Sequence, residues 1–121
     1  MPLFNFQKQF AADIESREKR QTIRARRKNR PKVGQTAYLY TGARTKACRK
    51  LGEGIIKKVE PLIIEHDGIR WLPHQMGELL MRNEDYLNFY ATADGFADWP
   101  AMRDWFQKTH GLPFEGDLIR W

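Results

Sequence analysis

The chain has a single cysteine, Cys48, among 121 residues, so no internal disulfide framework exists, and a chain of this length does not need one to bury a core. Cysteine this scarce fits a reducing compartment, and the expected location is cytoplasmic. No apolar run approaches the ~18 residues that suggest a membrane span. The opening Met-Pro-Leu-Phe-Asn-Phe lacks a basic segment followed by an apolar one, so no secretory signal is expected. No Gly-x-Gly-x-x-Gly and no Walker loop is present. His66, His74 and His110, with one cysteine, match no common zinc spacing. No metal and no cofactor are therefore expected. The adjacent carboxylates Glu84 and Asp85 would point apart, which argues against a glycosidase-like pair.

Acidic residues are scarce in one half only. Residues 1–60 carry sixteen lysines and arginines against five acidic residues, a net of +11. Residues 61–121 carry five against ten, a net of −5, and the whole chain stands at +6. Such asymmetry points to a polyanionic partner for the basic half, although a solvated basic face is the simpler alternative. Length predicts one domain over 1–121. Oligomeric state is not legible at this level.

Local patterns predict the elements. Phe6, Phe10 and Ile14, at i, i+4 and i+8, predict a short amphipathic helix ending near Ser16 or Arg17. Gln21–Arg26 reads as a strand, Asn29–Lys32 as a basic turn, and Thr36–Thr41 as the clearest strand. Gly42–Gly52 reads as a polar loop. Gly54–Val59 and Leu62–His66 read as strands parted by Pro61, and Asp67-Gly68 signals a hairpin into Ile69–Leu72. Residues 73–97 read as an irregular insertion, briefly helical at Gly77–Met81. Asp98 as N-cap, Pro100 in the first turn and Gly111 as C-cap define a late helix, with Trp99, Met102, Trp105 and Phe106 as its core stripe. Leu118–Trp121 reads as a closing strand. The expected fold is a small α+β domain, a curled sheet or barrel with one helix at each end.

The segment from Lys19 to Lys32 carries the chemistry. As a strand, Thr22, Arg24 and Arg26 share one face, and Ile23 and Ala25 share the other. A threonine hydroxyl is a poor nucleophile until a base takes its proton, and a lysine of lowered pKa can be that base. Crowding by Arg17, Arg20, Arg24 and Arg26 would lower it. Residues three apart lie on opposite strand faces, so Lys19 reaches Thr22 only from the turn before the strand. A solvated lysine beside an ordinary strand threonine is the alternative reading.

The pattern Arg17-x-Lys19-x-x-Thr22-x-Arg24 resembles the signature of ASCH domains, of the PUA-like superfamily, which reads Gly-x-Lys-x-x-Glu-x-Arg. This chain has Arg17 for the glycine and Thr22 for the glutamate. Threonine there is similar to the ASCH subgroup that acts as N4-acetylcytidine amidohydrolase, whose proposed catalytic set is a lysine, a threonine and a distant glutamate. The resemblance therefore implies Lys19, Thr22 and, as the nearest acidic residue before the late helix, Asp94, one carbon shorter than glutamate. Other ASCH proteins are described as ribonucleases or as RNA binders. The order of elements follows the family over most of the chain, but only the front motif is specific.

Arg44, Lys46, Arg49 and Lys50 fall within seven residues and near Tyr38 and Tyr40. Cationic groups of this kind bind phosphate, and an exposed tyrosine stacks on an unpaired base. A solvated loop with both tyrosines in the core is the alternative. Cys48 lies among these cations with no histidine close in sequence, so a Cys-His pair is not expected. The expected cleft lies between Lys19–Arg26 and Gly42–Gly52. Arg24, Arg26 and Arg27 would hold an anion with the loop cations, and Tyr40 or Trp71 would stack on a base. The expected partner is RNA or a modified nucleoside. The site either binds only, or hydrolyses an acylated cytidine or RNA, or is incidental to a protein-interaction module.

Overall fold

The computed structural model describes residues 2–72 and 79–121. The strands are β1 (Leu3–Phe6), β2 (Gln21–Ala25), β3 (Thr36–Thr41), β4 (Arg49–Ile55), β5 (Lys58–Glu65), β6 (Gly68–Trp71), β7 (Leu79–Met81) and β8 (Phe114–Arg120); the helices are α1 (Lys8–Glu15), α2 (Glu84–Ala93) and α3 (Trp99–Thr109). One sheet has the order β1-β3-β4, with β1 parallel to β3. The other runs β2-β8-β5-β6-β7 with antiparallel neighbours. The architecture is α+β, and the two sheets are not closed into a barrel.

Where residue type and periodicity agree, the local reading matches. β3 buries Ala37, Leu39 and Thr41 and turns Thr36, Tyr38 and Tyr40 to its other face. α3 begins at Asp98, whose Oδ1 accepts from Ala101 N at 2.9 Å. It ends at Gly111, whose φ of 85° and N–H bonds to the carbonyls of Phe106 and Gln107 close the last turn. Asp98→Ala is expected to lower stability by about 1 kcal/mol. A shift of the urea midpoint with an unchanged m-value measures it.

Several expectations are corrected. Phe6 belongs to a strand, because parallel pairing with Thr41 outweighs the helical spacing to Phe10. The N-terminal helix is therefore preceded by a strand, and two helices, not one, come late in the chain. Arg49, Lys50 and Leu51 are strand residues, with Leu51 buried, so the polar loop ends at Cys48. Pro61 lies inside β5, not between strands. Its carbonyl accepts from Leu72 N just past the last paired residue of β6, so its side of the ladder needs no N–H.

The stretch 73–97 is not irregular where it is described. Leu79–Met81 extends the second sheet beside β6, and α2 follows with Asn83 Oδ1 capping Tyr86 N at 3.0 Å. Glu84 and Asp85 fill the first turn of α2, where negative charge suits the helix dipole. The remainder of the Gly77–Met81 reading, at 77 and 78, falls outside the described residues.

Two apolar clusters form. One joins β2, β5, β6, β8, α2 and α3 through Ile23, Leu62, Ile64, Met102 and Phe106. The other joins α1 to the first sheet through Phe4, Phe6, Phe10, Ile14 and Leu39. Phe96 and Trp105 pack against both. The seam they mark is where the candidate site lies.

Candidate functional site

α1 ends in a turn that reverses the chain into β2. Arg17 there has φ 68°, and Lys19 N donates to Asp13 O at 3.0 Å. The turn directs the Lys19 side chain inward until only 3% of the residue is exposed. Its Nζ lies 3.1 Å from Asp94 Oδ1 and donates to the Asp94 main-chain oxygen at 2.5 Å. Asp94 is the C-cap of α2, so its carboxylate sits at the negative end of a helix. Lys19 thus offsets both the carboxylate and an unsatisfied terminal carbonyl. Asp94 Oδ1 is buried, and despite its nearness to Nζ it accepts no well-aligned hydrogen bond.

Burial drives both groups of this pair toward their neutral forms. Desolvation lowers the Lys19 pKa below that of an ordinary lysine, and the Asp94 charge opposes this only in part. Desolvation likewise raises the Asp94 carboxyl, against the pull of Lys19 and Gln21. A pair displaced in this way is suited to move a proton.

β2 supplies the next two groups. Thr22 and Arg24 share a face, and Arg24 Nε donates to Thr22 Oγ1 at 2.9 Å. Arg24 also donates through Nη2 to Asn5 O at 2.7 Å and stacks over the Phe6 ring at 4.7 Å. Burial, then the nearby Arg27 charge, pushes the Arg24 pKa down to about 10, so it remains a cation at neutral pH.

Lys19, Thr22, Arg24 and Asp94 line one cavity of about 300 Å³. Phe6, Phe10, Phe96, Trp105, Phe106 and His110 supply its aromatic lining, with Asn5 among the polar groups. Arg24 and the Lys19–Asp94 pair therefore face a largely apolar wall, the usual composition of a small-molecule site. Among the described residues, no group of three or more His, Cys, Asp or Glu side chains could hold a metal ion. His74 lies outside them. No helix among them is long and apolar enough to cross a membrane.

The other candidate cations do not join the cleft. Arg26 lies past the end of β2 and pairs with Glu115 at 3.1 Å and, at 3.6 Å, with Asp117. Arg30 holds the same buried Asp117 through two hydrogen bonds, of 3.0 and 2.8 Å. Arg27 donates to Leu3 O at 2.9 Å and covers the Phe4 ring. Arg49 pairs with Glu15, and Lys50 with Glu53. Tyr40 is half-buried on the outer face of β3, and Trp71 donates to Tyr86 Oη at 2.9 Å beside Tyr90. Arg44, Lys46 and Cys48 are exposed on the 42–48 loop. That loop reaches the cleft only indirectly, where Ala43 N donates to Asn5 Oδ1 at 2.8 Å.

Sequence reasoning missed Asn5, Phe96, Trp105 and His110 as cleft residues. Trp105 carried a signal, because it widens the apolar stripe of α3 beyond the positions buried in one cluster. Asn5 and Phe96 carried none. Comparison of the chain with protein-family models, curated proteins and solved structures finds no match.

Proposed function

We propose that this chain is a small ASCH-type hydrolase of the PUA-like superfamily that cleaves the amide of an N4-acylated cytidine. The observation that carries the reading is the convergence of Lys19, Thr22, Arg24 and Asp94 in one cavity, a requirement that a simple basic binding groove does not have. The left-handed backbone of Arg17 supports the family resemblance. Its φ of 68° favours glycine, and the ASCH pattern has glycine at that position.

In this reading the cytosine ring rests against the aromatic wall with its acyl carbonyl toward Thr22. Neutral Lys19 takes the Thr22 hydroxyl proton as Oγ1 bonds to the carbonyl carbon. The electron pair of the carbonyl double bond moves to the carbonyl oxygen, and the Arg24 guanidinium, held beside the reacting centre by its bond to Oγ1, stabilises the negative charge that develops there. The carbon–nitrogen bond then breaks, and Lys19 returns the proton to the departing N4 nitrogen. A water gives its proton to Lys19 and attacks the threonine ester; the acid is released and the proton returns to Oγ1. Asp94 holds Lys19 in place and sets its proton affinity.

Incubation with N4-acetylcytidine tests this. Wild-type protein is expected to release cytidine and acetate in equal amounts, and Thr22→Val to lose at least about 100-fold in rate. Turnover unchanged in Thr22→Val would remove the threonine from the chemistry. A second reading, RNA recognition without turnover, is favoured by exposed Arg44 and Lys46 and by the basic first half of the chain. It predicts no product, together with single-stranded RNA binding whose log K falls linearly with log salt.

A further inference from the structure

A second cavity, of about 250 Å³, shares no lining residue with the cleft. The turn that sends Lys19 inward contributes Arg17 and Arg20 to this other cavity, and Lys57 joins them. All three are exposed, and none forms an ion pair among the described residues. Two carboxylates also line the space, but both are engaged. Glu15 pairs with Arg49 at 2.5 Å, and that hydrogen bond holds its carboxyl below the usual range. Glu53 pairs with Lys50. Among the described residues, the cavity is thus left with three cations that form no ion pair.

Its apolar lining combines Ile14, Leu39, Leu51 and Ile55 with one aromatic group, the Trp121 ring. The ring lies on the Gly54 backbone so closely that a β-carbon at Gly54 would stand 2.6 Å from Trp121 Cδ1. Phe6 meets the ring edge-on at a centroid distance of 6.0 Å. Trp121 N donates to Arg20 O at 3.0 Å, and Arg20 Nε to Arg17 O at 3.0 Å, so the aromatic surface and two of the cations are fixed to one another. Arg17 holds its left-handed conformation without the glycine that would fit it best.

We propose that this cavity is a nucleotide phosphate site, in which Arg17, Arg20 and Lys57 take the phosphate oxygens and Trp121 carries the attached base. Guanidinium groups match phosphate through paired N–H donors, and a tryptophan face accepts a base by stacking. The site is independent of the hydrolase reading, because it shares neither lining residues nor chemistry with the cleft.

The test is a titration of full-length protein with 5′-AMP, adenosine and inorganic phosphate, followed by backbone and indole NMR shifts. AMP is expected to bind tighter than phosphate, and phosphate tighter than adenosine, with shifts at Gly54, Arg20 and the Trp121 indole. Arg17→Gly is expected to weaken AMP about five- to tenfold while raising the melting temperature, since glycine suits that backbone. Lys57→Gln is expected to weaken AMP similarly, with the fold unaltered. Adenosine binding as tight as AMP, shifts confined to the cleft at Thr22 and Phe96, or affinity unchanged in both variants would each overturn the proposal.

Discussion

Lys19→Met is expected to destabilise the fold by about 3–5 kcal/mol at pH 7 and to make its remaining stability fall as pH rises. Methionine keeps much of the volume, so the effect is electrostatic. Asp94 would remain buried without its cation, at the C-terminal end of α2, where the dipole also disfavours negative charge. Desolvation already raises its carboxyl above the ordinary value of 3.8, and Lys19 is the largest of the groups opposing that rise. Once Lys19 is gone, the folded carboxyl titrates well above the unfolded one.

Between those two values the folded chain holds one proton more than the unfolded chain. Stability therefore declines as pH rises above about 4, with a slope of up to about 1.4 kcal/mol per pH unit, and levels off above the folded value. Urea denaturation at pH 4.5 and pH 8 measures this. Equal stability at both would mean that water reaches Asp94 in the variant. The double variant Lys19→Met/Asp94→Leu is expected to recover most of the loss, because an apolar pair replaces a buried ionic one at little net cost. In the proposed reaction both variants are inactive, so the double variant separates the lysine's chemistry from its structural role.

Gly116→Ala is expected to lower stability by about 2–3 kcal/mol, or roughly 10 °C in melting temperature. Gly116 sits in β8 opposite Ala25 of β2. A β-carbon there would stand 2.2 Å from the Arg24 carbonyl oxygen and 2.9 Å from Phe114 Cε2. The first obstacle is backbone, which no rotamer change relieves, so β2 must move off β8. β2 carries Thr22 and Arg24, and the cleft is expected to lose its geometry with the stability.

Gly111→Ala is the informative comparison. Its surroundings are open and only its φ of 85° resists a side chain, so about 1 kcal/mol is expected. Thermal denaturation that placed Gly111→Ala below Gly116→Ala in stability would show that the strands separate easily, and would contradict the close packing of β2 on β8.

The sequence made the motif legible, and the family resemblance pointed to Asp94, but not the other groups around it. Lys19, Thr22 and Arg24 stand out because spacing and residue type are local, and the condition that Lys19 precede the strand is itself a local statement. The fate of the neighbouring cations was not legible. Arg26, Arg30, Arg49 and Lys50 look alike in a basic stretch, yet Glu115, Asp117, Glu15 and Glu53 take them up. A charge run says nothing of whether an opposite charge lies across a sheet. α2 was obscured because its aromatics fall on more than one face: Leu87 and Ala91 are buried, whereas Phe89 is 58% exposed.

What the sequence alone determined was whatever one element decides for itself: the alternation of β3, the capped ends of α3, the existence of a tight return between β5 and β6, which the Asp67-Gly68 signal places one residue later than the observed His66-Asp67 turn, and the absence of a disulfide framework. Each depends on backbone preference or a hydrogen bond within a few residues. Only the tertiary structure decided that Phe6 pairs as a strand with Thr41, that Asp94, which the resemblance implied, meets Lys19 as a buried ion pair from 75 residues away, and that Phe96 and Trp105 wall a cleft between two cores. Those outcomes come from burial and charge pairing between distant segments, for which spacing along the chain carries no signal.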